Sequence, residues 1–361
     1  MSGRGEVSGM REHGSPARVR GGAIALYTVL AWGLAWLICL PLWLGRGLAT
    51  PGAVIILTAM MFAPTIAVVV TMLVTGFPRR GERLRSLGMW PLRPAKRVVW
   101  LTVIGWLGPL AVVLLGIGVA IVLGWLHPDF TFPLIAEQLK KVVPAGVTLP
   151  PIGVIVIAQL AAIPVGALFN GIFAFGEELG WRGWLVPALR PLGTWPALLI
   201  SGAIWGIWHA PVILLGYDFG RRDVVGVLLM VGGCVAWGVL FGWLRLRSAS
   251  LWPSVFAHGM LNASAGLSVL ISPLHPNLAL ISPLGASGWI ACAVVIAILL
   301  LTGQFRRQPA LAAGRRKDPA PVASPPPAAA PVAPPAATLD GRPQTAGPAP
   351  TDPGESDPSR S

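Results

Sequence analysis

Two adjacent carboxylates and an arginine interrupt a long apolar stretch in the second half of the chain. Residues 173–182 read FAFGEELGWR, so that Glu177, Glu178 and Arg182 stand among hydrophobic residues. Ionisable side chains are costly inside a membrane segment and usually serve a function there. Glu178 and Arg182 are four residues apart with the acid first, the favourable order for an ion pair along a helix. This spacing predicts that Glu178 pairs with Arg182 while Glu177 faces an interior cavity, although the two glutamates could exchange these roles.

Two histidines and an asparagine in later apolar segments are candidate partners for Glu177. His209 lies in the sequence WGIWHAP, where Pro211 is expected to kink or end the helix. His258 and Asn262 are four residues apart and therefore share one face of a later helix. At 1.5 Å per residue from the expected cytoplasmic helix ends, Glu177 lies about 18 Å deep, His209 about 21 Å and His258 about 16 Å. These similar depths allow the three side chains to meet at one level.

A carboxylate and two imidazoles are suited to general acid–base catalysis on water. In a poorly hydrated cavity, desolvation makes the carboxylate a stronger base near neutral pH. A histidine and an amide can then donate hydrogen bonds to a developing oxyanion. The same groups could bind a divalent metal such as zinc. No His-Glu-x-x-His motif is present and the spacings select no metal geometry, so no cofactor is predicted and zinc stays an alternative.

The elements that carry these residues are predicted to be membrane-spanning helices. Only 11% of the 361 residues are charged, against about 25% in soluble proteins, and the mean hydropathy is +0.71. Repeated apolar runs of about 20 residues indicate an all-α fold, a polytopic transmembrane helical bundle. Eight helices are expected, at residues 23–44, 53–74, 98–126, 152–189, 195–215, 224–244, 251–271 and 285–303.

The bundle is expected to occupy residues 23–303, between two tails. Residues 1–22 are polar and basic, and residues 304–361 are rich in Pro and Ala. Neither composition can form a hydrophobic core, so both tails are predicted to be disordered. Within the bundle, tryptophans such as Trp181, Trp184 and Trp195 are interpreted as anchors at the membrane interface.

Basic residues are distributed unevenly between the two sides of the predicted bundle. The loop at residues 79–97 holds seven Arg and Lys residues, opposed only by Glu82. Within residues 1–317, placing this loop in the cytoplasm puts 20 basic residues inside and five outside, so both termini are predicted to be cytoplasmic. The cavity is also expected to open toward the cytoplasm. The net charge of +13 is assigned to loops that face anionic lipid, and no nucleic-acid partner is predicted because no recognition motif accompanies the charge.

Three motifs, in order, resemble those of the CAAX protease and bacteriocin-processing (CPBP, or Abi) family of intramembrane endopeptidases. They are Glu-Glu-x-x-x-Arg at residues 177–182, aromatic-x-x-x-His at 205–209 and His-x-x-x-Asn at 258–262, all within residues 150–270. Trp205 stands where the family pattern usually has Phe, a difference interpreted as affecting the shape of the cavity more than its chemistry.

The resemblance implies a glutamate-dependent mechanism without metal. Glu177 and His209 would activate the attacking water. His258 and Asn262 would stabilise the oxyanion, with Glu178 and Arg182 as supporting residues.

The expected protein is therefore a multi-pass membrane endopeptidase in the cell membrane, and its composition suggests the bacterial plasma membrane. Its expected partners are membrane lipids and a membrane-associated peptide or protein substrate of the CAAX or bacteriocin type. Two other functions stay open. In a non-catalytic immunity or scaffold protein of the same family the polar cluster would be structural, and in a proton-coupled transporter Glu177 would carry the proton. No oligomeric state is predicted.

Overall fold

The computed structural model describes residues 19–144 and 146–306. These residues form helices and connecting loops, and none of them belongs to a β-strand. The predicted all-α fold is confirmed. The predicted tails lie outside the described residues, apart from a few residues next to the bundle.

The α-helices follow one another with short connections. Their bounds are α1 (Gly21–Leu44), α2 (Ala53–Met60), α3 (Ala63–Thr75), α4 (Arg83–Ser86), α5 (Ala95–Val122), α6 (Pro133–Val142), α7 (Ile152–Glu178), α8 (Val186–Leu189), α9 (Thr194–Trp208), α10 (Ala210–Ile213), α11 (Val224–Ser248), α12 (Trp252–Ser264), α13 (Leu267–Leu270), α14 (Leu278–Ile281) and α15 (Ala286–Leu301). A π-helix at Leu179–Leu185 joins α7 to α8. Single 3-10 turns lie at Gly47–Ala49, Arg80–Glu82, Arg190–Leu192 and Gln304–Arg306.

Six helical segments of the described chain are long and apolar enough to cross a membrane. They are Gly21–Leu44, Ala53–Thr75, Ala95–Val122, Ile152–Leu192, Val224–Ser248 and Leu278–Leu301. The other two predicted helices are shorter than expected: α9 ends at Trp208 and α12 ends at Ser264. The end of α9 follows the prediction for Pro211, because proline disturbs the helical turn that precedes it.

The bundle has two ends, which the chain direction defines. The helix α1 crosses the bundle once and the segment Ala53–Thr75 returns, so the basic loop at residues 79–97 lies beside the start of α1; we call this the basic end. There, Arg245 at the close of α11 donates from Nη2 to the Ser86 carbonyl at 2.8 Å. The opposite end, called the distal end, carries the loops at residues 45–52, 123–151, 209–223 and 265–285. At the distal end, Trp43 Nε1 donates to the Pro211 carbonyl at 2.9 Å.

The short helix α12 lies in the interior of the bundle, where it packs against α5 and α7, and α11 packs against α9 and α12. Glycines allow the close approach of these helices, as small residues do in membrane proteins generally. A Cβ atom on Gly259 of α12 would clash with the Ala167 carbonyl oxygen of α7 and would lie 2.7 Å from the Gly171 nitrogen. The backbones of α7 and α12 are therefore in direct contact.

Candidate active site

A cavity of about 580 Å³ lies inside the bundle and is lined by parts of α2, α7, α9, α11, α12 and α14. Its lining contains titratable and amide side chains, namely Asn170, Glu177, His209, Tyr217, Asp218, Cys234, His258 and Asn262. The four residues predicted to be catalytic thus face one cavity, although they come from three separate segments. The side chains predicted to lie at a similar depth are therefore also neighbours within the bundle.

Glu177 is almost fully buried, with 3% of its surface exposed, yet it reaches the cavity wall. Its Oε2 accepts hydrogen bonds from Trp205 Nε1 at 2.8 Å and from Trp181 Nε1 at 3.3 Å. Indole N–H groups only donate, so both bonds favour the ionised carboxylate. The carboxylate is therefore held from one side by two aromatic donors.

Glu178 turns away from the cavity and is fully buried. Its Oε1 accepts a hydrogen bond from Arg182 Nη1 at 2.7 Å, so the ion pair predicted from the spacing is present. The same oxygen lies 3.0 Å from His258 Nδ1. The Arg182 guanidinium also stacks over the Trp205 ring, 4.4 Å from its centroid. Glu178 thus connects the charged helix to the histidine of α12.

His209 occupies the single residue between α9 and α10. Its Nδ1 lies 3.0 Å from the Trp205 carbonyl oxygen. Because a carbonyl oxygen can only accept, this bond puts a proton on Nδ1 and leaves Nε2 as the acceptor of the neutral ring. The ring packs edge-on against Trp208, with centroids 4.7 Å apart. His209 therefore presents an unprotonated Nε2 as a hydrogen-bond acceptor from a fixed orientation.

His258 and Asn262 lie one turn apart on α12, and both line the cavity. His258 is 4% exposed, and its ring packs against Trp205 and Phe241 at centroid distances of 5.3 and 5.6 Å. Asn262 is half-buried. The helix face that the i,i+4 spacing predicted is thus turned to the cavity.

Comparison with known families bears directly on this arrangement. Residues 157–264 match the family model described as type II CAAX prenyl endopeptidase Rce1-like. The chain carries an Rce1-like domain. This is a protease domain of the CPBP family, so the resemblance inferred from the three motifs is confirmed. The match includes Glu177, His209, His258 and Asn262, and no curated protein matches the chain.

Two features of the Rce1-like domain position its glutamate pair. The π-helix at Leu179–Leu185 begins directly after Glu178, and π-helical turns are frequent at functional sites. The Gly259 contact holds α12 against α7 near the pair. Together they bring the helix faces of Glu178 and His258 within hydrogen-bonding distance.

The tryptophans of the domain differ from their sequence interpretation. Trp181 is fully buried and Trp184 is 2% exposed, so the expectation that they anchor the membrane interface is wrong for both, while Trp195 is half-buried. Trp181 lies four residues after Glu177, the same spacing that predicted the Glu178–Arg182 pair. Trp205 was interpreted as a matter of cavity shape, but its N–H contacts the Glu177 carboxylate.

The cavity of the Rce1-like domain lies toward the distal end of the bundle. Its lining includes the first residues of the segment Ala53–Thr75 and residues of the 209–223 and 265–285 loops, all of which belong to that end. The basic loop at residues 79–97 contributes none of the lining residues. The lining residues thus lie toward the end opposite the basic loop, although the basic loop and the opening of the cavity were both expected on the cytoplasmic side.

Two polar residues of the 209–223 loop line the cavity. Asp218 is half-buried, its φ is +60°, and burial raises the pKa of its carboxyl to about 7. Tyr217 precedes it and is exposed. Neither residue was a sequence-based candidate, because both lie in a loop outside the three motifs.

The side chains that line the cavity are also the ones that could hold a metal ion, although no cofactor was predicted. Within residues 19–144 and 146–306, no three His, Cys, Asp or Glu side chains cluster closely enough to hold a metal ion. Two potential ligand atoms are already engaged, since His258 Nδ1 faces Glu178 and His209 Nδ1 faces a carbonyl.

Proposed function

We propose that this protein is an endopeptidase that hydrolyses a peptide bond of a membrane-associated polypeptide with water activated by Glu177. The observation that carries the proposal is the contrast between the two adjacent glutamates. Glu178 is neutralised by Arg182 and closed off from the cavity, whereas Glu177 is buried, faces the cavity and has no basic side chain paired with it. A carboxylate in this position suits a general base.

The attacking water would bind between Glu177 and His209. The Glu177 Oε2 is occupied by the two indole donors, which leaves Oε1 to accept a proton from the water. The Nε2 of His209 accepts the second O–H of the water and orients it. The water oxygen then attacks the carbonyl carbon of the scissile peptide bond as its proton passes to Glu177.

His258 and Asn262 would stabilise the oxyanion that forms in this step. A protonated His258 donates from Nδ1 to Glu178 and from Nε2 toward the cavity, and the Asn262 amide donates beside it. With His258 protonated, the four buried groups Glu177, Glu178, Arg182 and His258 have a net charge of zero. Such a balance reduces the cost of burying them.

Collapse of the tetrahedral intermediate completes the reaction. Protonated Glu177 transfers its proton to the peptide nitrogen as the carbon–nitrogen bond breaks. The products are a carboxylic acid and an amine, which together contain the atoms of the peptide and of one water molecule. Glu177 returns to its ionised form without net gain or loss of a proton.

The proposed mechanism needs no metal ion, and chelation tests this directly. Activity should persist after prolonged dialysis against EDTA and 1,10-phenanthroline in metal-free buffer. Loss of activity that added zinc restores would contradict the metal-free mechanism.

The side of the membrane from which substrate enters follows from charge. With the basic loop at residues 79–97 in the cytoplasm, the distal end faces outward, and the cavity mouth opens on the outer side. We therefore propose that the substrate approaches from the outer leaflet or the outer aqueous phase. This replaces the expectation of a cytoplasmic mouth.

The decisive experiment compares newly formed peptide termini in membranes of cells that produce wild type or the Glu177→Gln variant. Glutamine keeps the size of the side chain but cannot act as a base. New termini that depend on wild-type protein, at equal protein levels, support hydrolysis. Identical profiles would favour a non-catalytic immunity or scaffold protein, and pH-dependent flux through the wild type in proteoliposomes would favour a transporter.

A further inference from the structure

Trp205 contacts four polar residues of the candidate active site, on three different segments of the chain. Its Nε1 donates to Glu177 Oε2 at 2.8 Å, and its carbonyl oxygen lies 3.0 Å from His209 Nδ1. The ring is covered by the Arg182 guanidinium at 4.4 Å and meets the His258 ring at 5.3 Å. The residue is 2% exposed.

These contacts separate into those that any large aromatic residue provides and one that needs an indole. Phenylalanine at this position would keep the carbonyl bond to His209, the ring beneath Arg182 and the packing against His258. It could not donate to Glu177. The bond from Trp205 Nε1 to a carboxylate is charge-assisted and is the shorter of the two that Glu177 accepts.

We propose that Trp205 is a positioning residue that fixes the Glu177 carboxylate for water activation. Its N–H holds Oε2 against the wall formed by α9, so that Oε1 is directed to the water site next to His209. The same N–H stabilises the ionised carboxylate, the form that accepts a proton. This inference rests on the proposed function of Glu177 as the base, and it assigns to this chain a contact that the usual phenylalanine would lack.

The test compares Trp205→Phe with Trp208→Phe over a range of pH. Both variants remove an indole from the same cavity wall, but the Trp208 Nε1 has no hydrogen-bond partner. Loss of a hydrogen bond to a charged group corresponds to about a 10- to 100-fold decrease in kcat/KM. We expect that decrease in Trp205→Phe mainly in kcat, with the acidic limb of its pH–rate profile moved to higher pH. In Trp208→Phe the acidic limb stays at the wild-type position.

A second replacement at position 205 controls for destabilisation of the fold, because the phenyl ring is smaller than indole and leaves space beneath Arg182. The analogue β-(3-benzothienyl)alanine at position 205 keeps the bicyclic shape of tryptophan and replaces its N–H by sulfur. It should reproduce the shifted acidic limb with a melting temperature close to that of wild type.

The outcomes distinguish this inference from the proposed function. An acidic limb at the wild-type pH in both position-205 replacements, or an equal shift in Trp208→Phe, would overturn the role of Trp205 and leave the proposed base in place. Full activity in Glu177→Gln would overturn the proposed function, and the role of Trp205 with it.

Discussion

The Nδ1 atom of His258 lies 3.0 Å from the Oε1 atom of Glu178, the same oxygen that receives Arg182 at 2.7 Å. One buried carboxylate oxygen thus links α7, the π-helix and α12. Glu178 does not line the cavity, so it acts on the cavity through His258 and, by way of Arg182, through the Trp205 ring. The supporting role implied for Glu178 has a physical basis in this contact.

Replacement of Glu178 by glutamine should destabilise the folded protein strongly. Glutamine leaves Arg182 buried without a counter-charge, which costs about 3 kcal/mol when a buried ion pair is broken. Thermal unfolding in detergent measures the change. The double variant Glu178→Gln with Arg182→Gln should recover part of the loss, because neither charge is then left unpaired. A single variant as stable as wild type would contradict the structural role of the pair.

The Gly259→Ala substitution should separate the helices that carry the catalytic groups. Its Cβ would clash with the Ala167 carbonyl and approach the Gly171 nitrogen at 2.7 Å, and backbone atoms cannot move aside without the helix. A displacement of about 1 Å at a catalytic site can cost about 100-fold in rate, so we expect a decrease of that size in kcat/KM.

The matched control for that variant is Gly118→Ala on α5, where an added Cβ meets nothing within 4 Å. It makes the same chemical change in an exposed part of a membrane helix and should leave kcat/KM near the wild-type value. Equal effects of the two substitutions would show that helix propensity, and not helix contact, causes the loss.

The stability of the protein should depend on pH through Asp218. Burial raises the pKa of this carboxyl to about 7, against about 3.9 in an unfolded chain. Between these values the folded protein binds a proton that the unfolded chain has released, so the contribution of Asp218 to stability falls as pH rises from about 4 to about 7. Asp218→Asn removes this pH-dependent loss of stability, and asparagine tolerates the positive φ of the position. Its melting temperature should match that of wild type near pH 4 and exceed it increasingly up to about pH 7, above which the difference stays constant.

The variant Asp223→Asn provides a control of opposite sign. The Arg221 side chain and the Gly226 backbone N–H lower the pKa of Asp223, which caps α11. Its ionised form therefore contributes stability above the unfolded pKa, and this contribution is lost as pH falls through the folded pKa. Asp223→Asn should be less stable than wild type at neutral pH and equal to it in acid. If the melting temperatures of the two variants changed with pH in the same way relative to wild type, the raised pKa of Asp218 would be contradicted.

Labelling of single cysteines tests the side on which the cavity opens. Asn277→Cys places an exposed thiol at the distal end, and Arg80→Cys places one in the basic loop. The native thiols at Cys39, Cys234 and Cys292 are buried and give little background. In intact cells a membrane-impermeant maleimide should label position 277, and position 80 only after lysis. The reverse pattern would show that the cavity opens to the cytoplasm.

Local spacing made part of the site predictable. The Glu178–Arg182 pair and the shared face of His258 and Asn262 depend only on positions along one helix, and both are present. The contact between Trp205 and Glu177 depends on how α9 packs against α7, which no local spacing specifies. The contact from Trp181 to Glu177 does follow the i,i+4 spacing. It was not predicted, because Trp181 was interpreted as an anchor at the membrane interface.

The cavity lies toward the distal end because two helices are short, and the estimated depths of the catalytic residues gave no sign of this. The helix α9 has 15 residues and α12 has 13, about 22 and 20 Å at 1.5 Å per residue. Both start at the basic end and stop before the distal end, which leaves space there. Apolar patterning continued past both helix ends in the sequence, so the predicted spans were too long and the resulting space was missed.

The ion pair within one segment has a consequence for biogenesis. Glu178 and Arg182 belong to the same span, so they enter the membrane together, ahead of α9 and α12. The two opposite charges can therefore cross as a neutral dipole without help from a later helix. Glu177 has no oppositely charged partner in its own span, where only the Trp181 N–H donates to it. Its neighbours Trp205 and His209 lie in a later segment and enter after it. The surroundings of Glu177 are thus completed only after the segment that carries it has been inserted.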